Sequence, residues 1–528
     1  PAPFVNFGLV KLGNTKSMLV QITNQGLAPC TLTGAEVENV PLFGQDFSLT
    51  SQPPYPAQLG PRGSGSESVA LEVTFAPQRE WGQVSVLHIH VDDDDLGDLA
   101  CTDSNNNPIP HEACLQLTAY AKESEIEVVP GELDFGVVTV GCNSPELCVN
   151  VYNLGTVAYS IDSIELDDPA NPNFEITSAP MTPFQLAGGA SFQVCLRYHP
   201  QDDTPHRAVL IIRADGDEEH TVPLFGRGTY TNDQVDVFYQ PDRVRSDVLF
   251  VVDCSGSMSD DQQNLANNFD SFINWAQTLD VDFQIGVIGT EVEDTPGYTG
   301  TPPRQVHPGV LVNTSSTPKI ITSQTPDVIG AFTDNVRLGD DCSNHEAGLE
   351  AAWLALSQPL IDDPQANAGF LREDAKLYII VLSDEPDQSK GQPDFYVDFF
   401  RSLKGYRNTE MMTVSAICAD NPPDGRYYYV TQQTGGIFES ILTADWASTL
   451  QALGFDAFAA IREFPLSRPA DSSSITVTVN GNPVPQASSP GGADGWTYYS
   501  DTNSIYFGDD YVPGKGDKIE VHYDAACL

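Results

Sequence analysis

The sequence predicts a multi-domain chain of mixed class: two all-β sandwiches, one doubly wound α/β domain and a small C-terminal β domain. Three observations predict it. A unit of about 120 residues occurs twice at the front, a length that suits a β-sandwich rather than a solenoid repeat. From about residue 246, short apolar strands alternate with helix-patterned stretches. After Phe464 the pattern returns to β. The expected boundaries are sandwiches at 1–122 and 123–228, a connector at 229–245, the α/β domain at 246–462 and the small β domain at 463–528.

Composition narrows the function classes. The 528 residues carry 73 Asp and Glu against 25 Lys and Arg, a formal charge of -48. Such a polyanion is repelled by phosphate backbones and anionic lipid, so nucleic-acid and membrane-surface partners are set aside. No apolar run approaches the ~18 residues that a spanning helix needs, so direct membrane insertion is not expected. The chain starts Pro1-Ala2-Pro3 and reads as a mature form or fragment from which a signal or anchor has been removed. Ten cysteines without a CxxC pair fit disulfides in an oxidising compartment better than zinc ribbons or redox motifs.

The repeat is carried by particular residues. Phe7-Gly8 matches Phe135-Gly136, Gly13 matches Gly141, and Asn24 and Gly26 match Asn153 and Gly155. Further on, Phe75-Ala76-Pro77 matches Tyr198-His199-Pro200. MLVQITN and LCVNVYN alternate apolar and polar residues, as half-buried strands do. Residues 1–228 thus resemble tandem immunoglobulin-like domains of the abnormal-spindle/hydin (choice-of-anchor) type. That resemblance implies spacers or interaction modules without catalytic residues. An acidic insertion, Asp92 to Asp95 and Asp98, interrupts the first unit. It reads first as a solvated loop, with calcium chelation as the alternative.

In an open parallel sheet, ligands sit at the carboxyl ends of the strands. There the sequence places Asp253-Cys254-Ser255-Gly256-Ser257 after LFVVD, and Asp384, Glu385 and Asp387 after YIIVLSD. Between them GDDCSNHEAGLEAA feeds a helix. This set resembles the metal-ion-dependent adhesion site of von Willebrand factor type A domains. The resemblance implies ligands at Asp253, Ser255 and Ser257 on the first loop, Ser343 in place of the family's Thr on the second, and Asp384 on the third. Asp341 is an alternative second-loop ligand, because Asp341 and Cys342 replace the family's glycines. Asp341, His345, Glu385 and Asp387 are candidates for positions further from the ion. Hydroxyl and carboxylate oxygens suit Mg²⁺ or Ca²⁺, with Mn²⁺ as a substitute.

An enzyme is not expected. The sequence lacks GxSxG, and Met258 follows Ser257 where a nucleophile elbow would want Gly. Expected disulfides are Cys101–Cys114 and Cys142–Cys148, with Cys254–Cys342 tying the first two loops and Cys418–Cys527 pinning the chain end. Cys342–Cys418 is the alternative to the last two, and Cys30 and Cys195 are unassigned. The resulting expectation is an exported bacterial protein of the cell surface or envelope, an adhesin-like head on a sandwich stalk. It would bind a protein or surface polymer through the metal. The alternative is a self-associating subunit of an extracellular fibre or envelope scaffold. A cytosolic chelatase-like accessory fits poorly with ten cysteines and front-end sandwiches.

Overall fold

The computed structural model describes residues 4–11, 15–39, 46–78, 81–93, 96, 100–102, 108–122, 125–155, 158–216, 218–278, 281–292, 306–339, 346–358, 360–362, 365–405, 408–419 and 425–528. Chain content is mostly β-sandwich. In the first unit, strands Phe4–Lys11, Pro108–Lys122, Trp81–Val91, Cys30–Asn39 and Ala57–Leu59 form one sheet. Lys16–Thr23, Ser68–Phe75 and Phe47–Ser51 form the facing one. The second unit repeats this order, from Leu133–Thr139 to Phe184–Leu186 in one sheet and from Leu147–Asn153 to Phe174–Ser178 in the other, where Ile126–Val129 adds an edge strand.

The repeated residues explain the repeated fold. Phe7 packs with Phe47 and Phe75, with ring centroids 5.3 and 6.2 Å apart. Phe135 packs with Phe174 and Tyr198 at 5.8 and 6.0 Å. Each aromatic trio is buried and spans the two sheets, contributing large apolar area where a single residue must reach across the sandwich. The matched asparagines do the same local job. Asn24 accepts the Gly26 N–H at 2.8 Å and Asn153 accepts the Gly155 N–H at 3.0 Å. Their amides donate to the Leu59 and Leu186 carbonyls. Each therefore satisfies buried backbone at a turn.

The Phe-Gly pair marks a break in register in both units, between Asn6 and Leu9 and between Asp134 and Val137. Gly136 has φ +66° there, and a Cβ would lie 3.3 Å from the Ser467 carbonyl. Gly136→Ala is therefore expected to cost about 1–2 kcal/mol, the strain of a left-handed non-glycine residue. Chemical denaturation of the variant checks this.

Between the sandwiches and the C-terminus lies a six-stranded sheet in the order Ile321–Thr322, Asp282–Gly289, Arg245–Val252, Lys376–Ser383, Met412–Cys418, Phe438–Ser440. All pairings are parallel except that of the short Ile321–Thr322 edge. The inner strands are buried on both faces, which explains their continuous apolar runs. Helices α1 (Ser259–Thr278), α2 (Val328–Val336) and α6 (Trp446–Ala457) pack with Val248, Phe250 and Val252 on one face. Helices α3 (Gly348–Ala355), α4 (Pro393–Ser402) and α5 (Arg426–Gln433) pack with Leu249 and Val251 on the other.

The expected connector is a strand. Asp233–Tyr239 pairs antiparallel with Lys518–Asp524, at the edge of a sheet completed by Thr476–Val479 and Asn482–Val484. The sheet-and-helix unit is therefore inserted into the C-terminal β unit. The alternation in this edge strand is weak because its inward Asp236 is polar. Asp236 accepts hydrogen bonds from the Ser467 N–H and hydroxyl at 2.7 and 2.6 Å, and from the Tyr523 hydroxyl at 2.8 Å.

Two cysteine expectations are corrected. Cys148 bonds Cys195, which faces it across neighbouring strands. Cys142 bonds Cys527, so the chain end is pinned to the second sandwich. Cys418 is free and buried, so neither Cys418–Cys527 nor Cys342–Cys418 forms. Spacing could not reveal these pairs because strand register brings Cys148 to Cys195 and docking of the residues after Asp524 brings Cys527 to Cys142, neither of which follows from sequence proximity. Cys101–Cys114 forms as expected.

The second sandwich holds both neighbours. Tyr152 stacks edge-on against Phe395 of α4 at 5.3 Å, and Tyr152 and Asn150 both donate to Asp398. Arg468, almost wholly buried, donates to the Val137 and Thr231 carbonyls and to the Thr139 hydroxyl. These contacts fix the base on which the sheet ends are presented.

Candidate metal centre

Strand Arg245–Val252 has one neighbour that follows it directly in the chain and another, Lys376–Ser383, reached by a long crossover. That reversal opens a crevice at the carboxyl ends of the two central strands. Asp253 and Asp384 are the first residues past Val252 and Ser383, and the Asp253 N–H donates to the Leu382 carbonyl at 2.9 Å.

Asp253 is fully buried and Ser255 almost so, while Ser257 is exposed in the turn that precedes α1. One Asp253 oxygen accepts the Ser255 N–H at 2.8 Å, and the other accepts the Ser383 hydroxyl at 2.7 Å. Ser383 in turn accepts the Glu385 N–H at 3.2 Å. The Ser255 hydroxyl and Asp384 Oδ1 are buried and make no hydrogen bond among the described residues. Leaving such atoms unmade is costly, and both are oxygens able to complete a cation's shell.

Charge points the same way. Burial raises the Asp253 pKa, and the charge of Asp384 adds to it. Burial also raises Glu346, with further pressure from Asp253, Glu385 and Asp384. Asp261 is raised by burial and then by Asp384 and Asp260. Among the described residues, no Lys or Arg pairs with Asp253, Asp261, Glu346, Asp384 or Glu385. An all-oxygen, uncompensated acidic cradle has the donor chemistry of a hard divalent cation.

Asp387 is placed differently from the other third-loop carboxylates. It accepts Arg426 Nε at 2.7 Å, the Ser389 hydroxyl at 2.6 Å and the Leu349 N–H at 3.2 Å. It therefore anchors the first turn of α3. Glu385 is exposed. Cys254 is disulfide-bonded. Asp341, Cys342, Ser343 and His345 lie outside the described residues, as do Asp94, Asp95 and Asp98 of the acidic insertion. Asp92 from that insertion accepts the Thr31 N–H and so closes a strand end.

Three contributors are absent from the sequence reading. Glu346, buried, is held by the Gln388 amide at 2.8 Å. Gln262 donates to the Asp253 carbonyl at 2.9 Å and to the Gly339 carbonyl at 2.8 Å, tying α1 to the second loop. Ser383 orients Asp253. The only available signal was adjacency: Ser383 precedes Asp384, and Glu346 follows His345 at the mouth of α3.

Residues 1–95 match the family model described as ASH: Abnormal spindle-like microcephaly-assoc'd, ASPM-SPD-2-Hydin. The N-terminal unit is an ASH-type immunoglobulin-like domain. The ASH match ends within the acidic insertion, after Asp95. Similar solved structures include the ASH/PapD-like domain 7 of human CEP192, at 15% identity and TM-score 0.16, covering 20% of this chain and 86% of that one. Proximal thread matrix protein 1 from the mussel byssus has 15% identity and TM-score 0.29, covering 44% and 51%. No curated protein matches the chain.

Proposed function

We propose that the α/β unit is a von Willebrand factor type A-like domain with a metal-ion-dependent adhesion site, carried on a sandwich stalk that begins with the ASH domain. Asp253, Ser255, Ser257 and Asp384 hold the ion, with Ser343 or Asp341 from the second loop and Glu346 beside them. The observation that carries this reading is the pair of buried, unbonded oxygens on Ser255 and Asp384 beside buried Asp253. When bound, Mg²⁺ or Ca²⁺ supplies a Lewis-acidic centre that accepts an acidic group of a partner protein or surface polymer. The chain's own part is to fix the oxygens: Ser383 and the Ser255 N–H orient Asp253, and Gln262 holds the loop behind it. The role is binding rather than catalysis, in an exported bacterial surface protein.

Calorimetry with Mg²⁺ on the intact chain and on Asp253→Ala tests this. We expect one binding event in the parent and none in the variant. Equal binding by both overturns the assignment.

A second reading, a self-associating scaffold subunit, is favoured by one observation. Val235, Val237 and Tyr239 form an exposed row on the edge strand Asp233–Tyr239, and such an edge is a template for pairing with another chain. Concentration-dependent size-exclusion behaviour, lost in Val237→Lys, would support it. A monomer at all concentrations would remove it.

A further inference from the structure

We propose a second metal site, in the first sandwich: in the dithiol state of the chain, Cys101, Cys114, His88 and Glu112 bind Zn²⁺. Their ligand atoms all lie within 4.8 Å of one another. The strands dictate this. His88 on Trp81–Val91 stands directly opposite Cys114 on Pro108–Lys122, and Glu112 is two residues from Cys114 on the same face. Ala100–Thr102, which carries Cys101, pairs with that same strand.

The histidine is oriented as a zinc ligand needs. Nδ1 faces inward, 2.5 Å from Glu112 Oε1 and 3.6 Å from the Cys114 sulfur. Nε2 faces Glu38 Oε2 at 2.9 Å. A ligating histidine nearly always donates its other ring N–H to a carboxylate, a backbone carbonyl or water, which fixes the tautomer and raises the basicity of the metal-facing nitrogen. Glu38 is placed for that role. Cys101 is buried, and the His88 and Glu112 side chains are only 17% and 19% exposed, so a bound ion is shielded on its inner side. Two thiolates, one imidazole and one carboxylate form a tetrahedral set suited to zinc.

Disulfide and metal are mutually exclusive here. A dithiol reductant exchanges with the Cys101–Cys114 bond: its two sulfurs become a disulfide, two electrons pass to the protein, and two thiols result. Zn²⁺ then displaces one proton from each thiol. Opening the pair to the about 3.8 Å between sulfurs of a tetrahedral site follows from a Zn–S distance of about 2.3 Å. The short Ala100–Thr102 strand can supply that shift by side-chain rotation.

The test uses the full chain, reduced anaerobically and titrated with Zn²⁺ or Co²⁺, with alkylation of each cysteine mapped by mass spectrometry. We expect thiolate-to-cobalt charge transfer with tetrahedral d–d bands, and zinc protection of Cys101 and Cys114 from alkylation. Both signals should vanish in a Cys101→Ser, Cys114→Ser double variant and persist in Asp253→Ala. Glu38→Gln should weaken zinc binding about 10- to 100-fold while leaving the oxidised fold intact. Equal alkylation of Cys101 and Cys114 with and without zinc would overturn the site. So would cobalt bands that survive the double cysteine variant, since these would belong to the other reduced cysteines.

Discussion

Replacing Arg372 with Met is expected to destabilise the α/β unit by about 3–5 kcal/mol, the cost of leaving a buried charge without its partner. Asp247 is fully buried at the amino end of the central strand. Arg372 gives it two bonds, both 2.7 Å, from its backbone N–H and from Nε. The same guanidinium donates to Asp282 Oδ1 at 2.8 Å and to the carbonyls of Ser246 and Asp282. One side chain thus joins strands Arg245–Val252 and Asp282–Gly289 to the loop entering Lys376–Ser383. Even with this partner, burial raises the Asp247 pKa, so desolvation already outweighs the stabilising contacts. Removing Arg372 must raise it further.

A carboxyl whose folded pKa lies above its unfolded value contributes stability that is present at low pH and lost as pH rises through the folded pKa. Arg372→Met should therefore be least impaired in acid and most impaired at neutral pH. Asp247→Asn in the same chain should recover part of the loss. Denaturation followed by hydrogen exchange of strand Arg245–Val252 measures both. A variant within about 0.5 kcal/mol of the parent at neutral pH, the range of an ordinary surface substitution, would show that the pair is not what holds this end of the sheet.

What the sequence revealed and what it hid divide along physical lines. Residues acting through local backbone were legible. Asn153 and Gly136 recur at fixed offsets because each serves a turn or a bulge that both sandwiches must make, and Phe135 recurs beside that bulge because each core needs an aromatic that reaches the facing sheet. Asp253 and Asp384 were legible because strand ends announce themselves as apolar runs that stop. Residues acting across the chain were not. Arg468 meets Val137 and Thr231 only after the C-terminal β unit has docked on the second sandwich, and nothing near it in sequence marks that role. Strand Asp233–Tyr239 was read as a connector because its inward position is Asp236, whose partners come from residues 467 and 523. Helices α2 and α5 carry little signal of their own: Gly330 interrupts the first, and in the RYYYVTQQ of the second three successive tyrosines run from the buried face to the exposed one. Cys148 met Cys195 through register, a property of the sheet rather than of spacing.

In chelator, the α/β unit should be more stable in mild acid than at neutral pH, and Mg²⁺ should abolish that difference. Asp253, Asp261 and Glu346 all have pKa values raised, first by burial and then by neighbouring carboxylates. Each holds its proton more tightly folded than unfolded, so each contributes stability below its ordinary range that is lost as pH climbs through the raised value. A divalent ion replaces those protons as the compensating charge. At about 100 times its dissociation constant it should return about 2.7 kcal/mol at neutral pH, read as a rise in the melting temperature of this unit. Asp253→Asn separates the ion's effect from general screening. The amide oxygen can still accept the Ser255 N–H, and its NH₂ can donate to Ser383, so the loop keeps its geometry with one buried charge fewer. This variant should melt higher than the parent in chelator at neutral pH and gain nothing from Mg²⁺. If Mg²⁺ stabilises parent and variant alike, the ion acts on the -48 charge of the whole chain, and the cradle at the strand ends is not its site. If neither responds, the acidic cluster is a stability defect without a cation to justify it, and the adhesion-site reading falls with it.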